Sequence, residues 1–183
     1  MSAKKNILVI IGSTRTNSSN FRLVKKLEEL ARDIFEIIFY QGLTELPYFN
    51  PDLDNENPPK QVIDLRQQIA NADGIIVCTP EYVFSLPGSL KNAIEWCVST
   101  TVFSQKSIGL ITASASGEKA HEELRLVMRT LEARFTEATS VLIKGIKGKF
   151  NEEGDLTDAE TIARLKKFIA AFNEQLNDNN VPS

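Results

Sequence analysis

Residues 7–32 read ILVIIGSTRTNSSNFRLVKKLEELAR: an apolar run, a hydroxyl-rich turn and an amphipathic helix in immediate succession. The run 7–11 shows no polar alternation, which suits a strand covered on both faces in a parallel sheet. From residue 21 to 32, Leu23, Val24, Leu27, Leu30 and Ala31 recur at helical spacing. A strand passing so abruptly into a helix is the opening half of a βαβ unit.

The same alternation continues along the chain. Residues 34–40 predict a second strand, followed by an irregular stretch, 41–59, rich in Pro, Asn and Asp. Residues 60–71 predict a helix with Val62, Leu65, Ile69 and Ala70 on its apolar side, and GIIVCT at 74–79 predicts a central strand. After a loop bounded by Pro80 and Pro87 come a helix at 89–98, a strand at 107–113, a helix at 117–134 and a strand at 136–143. A last helix at 158–176 has Thr157 or Asp158 as its cap. Residues 1–176 are expected to form one domain, with 177–183 a frayed tail.

Five strands, each followed by a helix and none joined by a hairpin signal, imply an α/β three-layer sandwich. Right-handed crossovers then select a doubly wound sheet. Five parallel strands fit the flavodoxin-like order 2-1-3-4-5 better than the six-stranded dinucleotide fold. Ligands of such sheets sit at the carboxyl ends of the strands beside the switch point. The loops after strands one, three and four are therefore the places to look.

Bulk composition narrows the partners. A chain of 183 residues with 42% hydrophobic and 25% charged residues supports one sizeable core. A net charge of −3 offers no surface for nucleic acid, and the densest basic spots, Lys4-Lys5 and 144–149, read as solvated charge beside strands. The run at 7–11 is too short for a signal segment or a membrane span. The two cysteines, Cys78 and Cys97, suggest neither a metal site nor a redox pair, so a cytoplasmic location is expected.

The first loop, residues 12–20, carries five hydroxyls, two carboxamides, Arg15 and a single glycine ahead of a helix start. Helix N-termini attract phosphate. Neither Gly-x-Gly-x-x-Gly nor Gly-Lys-Ser/Thr is present, so a pyrophosphate pressed on bare backbone is disfavoured. Many side-chain donors instead suit a terminal monophosphate, with Arg15 adding a charge-assisted contact. A ligand-free polar loop with a Ser or Asn cap reads equally from these residues alone. The third loop, 79–88, holds Tyr82, Val83 and Phe84 between two prolines. It either packs on a partner subunit or lines a flat aromatic ligand. The fourth, Ser114-Ala115-Ser116-Gly117, is small enough for close approach of a ligand to the backbone.

These residues resemble the NADPH-dependent FMN reductase family, over nearly the whole chain. Gly12-Ser13-x-Arg15-x-x-Ser18-x-Asn20 is similar to the family's FMN-phosphate motif, and Leu46-Pro47-x-x-Asn50-x-Asp52-Leu53 to its segment after strand two. Thr79-Pro80-Glu81-Tyr82 with Ser85, Pro87-Gly88, Leu90-Lys91-Asn92-Ala93 and Trp96 resembles its isoalloxazine loop and interface helix. Two departures stand out: Val83 replaces the family's usual Asn, and the fourth loop lacks a Gly-Gly pair. The resemblance implies FMN, with NADPH or NADH as donor and a small acceptor such as a flavin, quinone or azo compound, in a homodimer or homotetramer. Ser13, Arg15, Ser18, Ser19 and Asn20 would serve the phosphate; Pro80, Glu81, Tyr82 and Val83 the ring; and Ser114, Ser116 and Gly117 the fourth wall. No dedicated catalytic side chain is implied, because the cofactor carries the chemistry.

Other residues invite ordinary readings. His121 and Trp96 are expected to pack rather than react, Cys78 and Cys97 to be inert and buried, and Glu122 and Glu123 to be helix-surface charge. No reader of the nucleotide 2′ position can be picked out, so the donor stays open. A non-enzymatic FMN carrier of the flavodoxin type is the leading rival. Arg15 and the small net charge weigh against it.

Overall fold

The hydrophobic pattern of the strands decides where the helices can lie. In a computed structural model describing residues 4–178, strands β1 (Lys5–Ile11), β2 (Phe35–Phe39), β3 (Gly74–Thr79), β4 (Ile108–Ser114) and β5 (Ser140–Lys144) form one parallel sheet. Its order is β2-β1-β3-β4-β5. Alternate residues of β1 face opposite ways: Leu8 and Ile10 join one core layer, Ile7 and Val9 the other. Helices α2 (Lys60–Asn71), α3 (Gly88–Glu95) and α4 (Glu118–Thr130) cover the first face through Leu65, Ile69, Leu90, Leu124 and Met128. Helices α1 (Ser19–Ala31) and α5 (Ala159–Asn177) cover the second, with Leu23, Leu27, Phe168 and Phe172 fully buried. The three layers and the strand order are those read from the sequence.

Packing against β4 is tight enough to demand glycine. A Cβ on Gly109 would stand 2.5 Å from the ring of Phe168, closer than carbon atoms tolerate. The α5 aromatic therefore brings the tip of its ring against the strand, and Phe168 and Phe172 stack with centroids 5.9 Å apart.

Element ends differ from the sequence reading where polar groups intervene. Helix α3 stops at Glu95 rather than 98, and Arg66 donates to the Trp96 carbonyl beyond its end (Nε to O, 2.8 Å). Helix α4 stops at Thr130 rather than 134, since Glu132 turns into the left-handed region at φ 58°. Strand β5 starts at Ser140 rather than 136. The backbone amides of Thr136 and Thr139 each donate to the other's hydroxyl (2.8 and 3.2 Å), closing a turn where two β-branched residues had read as strand. The irregular stretch 41–59 includes two short 3-10 turns, Gly42–Thr44 and Pro51–Leu53. Asp158 caps α5: its carboxylate accepts from the Thr161 amide and hydroxyl and from Lys149 at 2.6–2.9 Å, and these bonds hold its carboxyl at about 2. The helix runs one residue into the expected tail, to Asn177, and 179–183 lie outside the described residues.

One connection is strained. Tyr82 and Ser85 pair through two backbone hydrogen bonds of 3.0 Å, and between them Val83 and Phe84 sit at φ 52° and 58°. Two consecutive left-handed residues make a type I′ turn, whose natural occupants are Asn and Gly. A β-branched side chain there costs roughly 1–2 kcal/mol, and Val83 is 95% exposed, so packing within the protomer returns nothing. Replacing Val83 by Asn, which accepts this conformation, is expected to stabilise the fold by about 1 kcal/mol, read from the midpoint of urea unfolding. An unchanged or lower midpoint would contradict the strained turn.

Candidate functional site

The loops leaving the carboxyl ends of β1, β3, β4 and β5 enclose a cavity of about 440 Å³. The first loop gives it Ser13, Arg15, Ser18, Ser19 and Asn20; the third gives Pro80, Glu81 and Tyr82. Ala113, Ser114 and Ala115 follow β4, while Gly145, Ile146, Lys147 and Gly148 follow β5. Nine of the twelve residues singled out from the sequence therefore line one space. Val83, Ser116 and Gly117 stand off it, Val83 because the turn carries it outward to solvent.

The first loop is anchored by its own polar groups. Gly12 donates its amide to the Cys78 carbonyl (2.8 Å), and a Cβ at Gly12 would fall 2.5 Å from the Thr79 hydroxyl oxygen. Only glycine lets the chain leave β1 so close to β3. Ser18 is the N-cap of α1, accepting from the Phe21 amide at 3.1 Å. Asn20 is buried, and its carboxamide is already committed. Its Nδ2 donates to the Ala113 carbonyl (3.1 Å), and its Oδ1 accepts from the Cys78 thiol (3.2 Å). It thereby ties the start of α1 to β3 and β4 at once. Arg15 is exposed and joins no ion pair among the described residues.

Two carboxylates hold the third loop against α4. Glu81 accepts from the Gly117 and Ala120 amides at 3.2 and 3.0 Å, capping that helix from outside its own chain segment. In return Glu123, on α4, accepts from the Ser85 hydroxyl (2.7 Å) and the Leu86 amide (3.0 Å). Glu123 is thus a brace and not the free surface charge expected from the sequence. A spacing of about forty residues between partners leaves no local signal for such a bond.

The remaining candidates are structural. His121 is half-buried, bonded through Nδ1 to the Thr112 hydroxyl (2.9 Å) and through Nε2 to that of Ser140 (3.2 Å). Burial pushes its imidazole below the usual range, so it ties α4 to β4 and β5 as a neutral ring. Trp96 is fully buried and donates its indole N–H to the Pro47 carbonyl (2.7 Å), fastening the stretch after β2 to α3. Burial raises the Cys78 thiol far above its normal value and pushes Cys97 up to about 12. Neither can act as a nucleophile near neutral pH.

The sequence reading missed the β5 loop. Lys147 reads from the sequence as solvated charge, yet it borders the cavity with Gly145 and Gly148 on either side. Arg15 and Lys147, the first-loop hydroxyls and the N-terminus of α1 give one part of the cavity a polar, cationic lining. Pro80 and Tyr82 supply an apolar wall. A space of this size, with a polar end and a flat wall, fits FMN.

Comparison with known proteins agrees. The chain is 29% identical to a quinone reductase of Escherichia coli over 181 residues, covering 95% of this chain and 96% of that one. It is 31% identical to an NAD(P)H:quinone oxidoreductase of Solanum tuberosum, covering 89% and 88%. Among solved structures, the flavoenzyme NAD(P)H:(acceptor) oxidoreductase FerB of Paracoccus denitrificans superposes with a TM-score of 0.80 at 26% identity, covering 95% and 98%. The family model for NADPH-dependent FMN reductase matches residues 5–147. With its sheet order, its hydroxyl-lined first loop and this match over most of its length, the chain belongs to the NADPH-dependent FMN reductase family.

Proposed function

We propose that this FMN-dependent NAD(P)H reductase acts on quinone-type acceptors, with residues 1–176 acting as one flavin-binding domain. The observation that carries the site is the convergence of a hydroxyl-lined, cationic end with the Pro80–Tyr82 wall in a single cavity. When bound, FMN supplies the redox chemistry, accepting hydride from NAD(P)H and returning electrons to the acceptor. Ser13, Arg15, Ser18, Ser19 and Lys147 would hold its phosphate, and Asn20 acts by fixing the loop's position. Pro80 and Tyr82 border the ring, while Glu81 and Glu123 keep that border rigid. Support for a quinone comes from the names of the relatives and from Tyr82, which is 46% exposed and leaves an aromatic rim for a flat acceptor.

We further propose a homo-oligomer in the cytoplasm. The 82–85 turn presents Val83 and Phe84, 95% and 77% exposed, to solvent, an arrangement better suited to a subunit contact than to water. Among the described residues no helix is long and apolar enough to cross a membrane.

The purified protein should carry flavin absorbance that NADPH or NADH bleaches under nitrogen and that a benzoquinone restores. Colour that nicotinamides leave untouched would favour the electron carrier, and protein that neither carries nor takes up FMN would refute the site. Arg15→Ala should weaken FMN about tenfold, the scale of one charge-assisted contact, and leave riboflavin nearly unchanged in fluorescence titrations. Equal weakening of both would remove Arg15 from the phosphate. Phe84→Asp should lower the mass measured by light scattering to that of a protomer; an unaltered mass would place the interface elsewhere.

A further inference from the structure

The phosphate end of the cavity opens on a second recess, of about 250 Å³. It shares Arg15, Ser18, Ser19 and Lys147 with the main cavity. What is new in it is Arg22, with Asn17 and Phe150 at its sides. Arg22 is one turn into α1 and does not touch the main cavity. It is held in place: Nε donates to the Asn17 carboxamide oxygen at 3.1 Å, the guanidinium lies 5.9 Å from the centre of the Phe150 ring, and a terminal nitrogen packs 3.1 Å from where a Cβ on Gly154 would stand.

Three cations therefore line a recess with no carboxylate in its wall, and none of the three is ion-paired among the described residues. A phosphomonoester brings about −1.5 to −2 charges at neutral pH. One such group satisfies Arg15 and Lys147, and it leaves Arg22, whose other flank borders a recess containing Glu28, Glu29 and Asp155, without an ion pair of its own among the described residues. A guanidinium fixed by a carboxamide and an aromatic ring keeps its remaining N–H donors and its full charge available for a phosphate.

We propose that this recess binds a second phosphate group of a nucleotide, with Arg22 as its specific ligand. The inference rests on the main cavity being the FMN site. Two sources carry that chemistry: the second phosphate of a flavin dinucleotide, or the 2′-phosphate of NADPH. Either makes Arg22 a specificity residue of the enzyme.

Arg22→Gln removes the charge and Arg22→Lys retains it, so comparing them separates electrostatics from any disturbance of Asn17 or Phe150. Apo-protein is titrated with riboflavin, FMN and FAD by fluorescence quenching. FMN-loaded protein is titrated with adenosine 2′,5′-bisphosphate and with 5′-AMP by calorimetry. In wild type one of two ratios, FAD over FMN or bisphosphate over AMP, should favour the extra phosphate by about tenfold. Arg22→Gln should abolish that preference and Arg22→Lys should keep most of it, while FMN over riboflavin stays unchanged in both. The ratio that moves identifies the source. If both ratios are near one in wild type, or neither changes in Arg22→Gln, the recess is not a phosphate site. FMN affinity of the wild type, read from the same titrations, tests the main cavity separately.

Discussion

Handedness of the crossovers sets everything else in this molecule. Parallel strands need connections that pass over a face of the sheet, and right-handed passage forces α1 onto one face and α2 onto the other as the sheet reverses its direction of growth at β1. The loops after β1 and β3 consequently part from each other instead of packing together. A crevice remains at the carboxyl ends of the strands, and the N-terminus of α1 borders it.

A crevice of this kind works only if its walls keep their places, and the chain uses polar side chains for that purpose. Asn20 spends its whole carboxamide on Cys78 and Ala113, joining three elements that meet at the site. Glu81 and Glu123 bond across the gap between the third loop and α4 in opposite directions. Each carboxylate accepts from two donors, so losing either would leave partly buried amides without a partner, which costs more than the bond itself contributes. These braces permit the strained Val83–Phe84 turn to persist at the rim. The residues that surround the cofactor site are thus divided between those free to meet a ligand, such as Arg15 and Lys147, and those already occupied in holding the loops.

Val83 stands out at this rim as a residue that its backbone disfavours. Members of the family usually place Asn there, and the left-handed backbone supplies the reason: Asn tolerates φ near 52°, whereas Val does not. The Val83 departure thus falls at the tip of an exposed turn, where its cost is conformational.

Local pattern was sufficient to establish the sheet, the helices and the order of the strands, because buried parallel strands are uniformly apolar and helices repeat every 3.6 residues. It was also sufficient for the first loop, where ligand-facing hydroxyls and a helix start lie within nine consecutive residues. Thr136 and Thr139 misled, since β-branched residues read as strand whether or not their hydroxyls close a turn. Lys147, Glu123 and Arg22 were invisible for a different reason. Their significance depends on neighbours far away in the chain, which an isolated charge in a polar stretch does not announce. Sequence alone determined the flavodoxin-like sheet and carried the resemblance that implies a phosphate-bearing cofactor. Only the folded chain decided which charges border the cavity, because proximity between loops is a property of the closed sheet and not of any one segment.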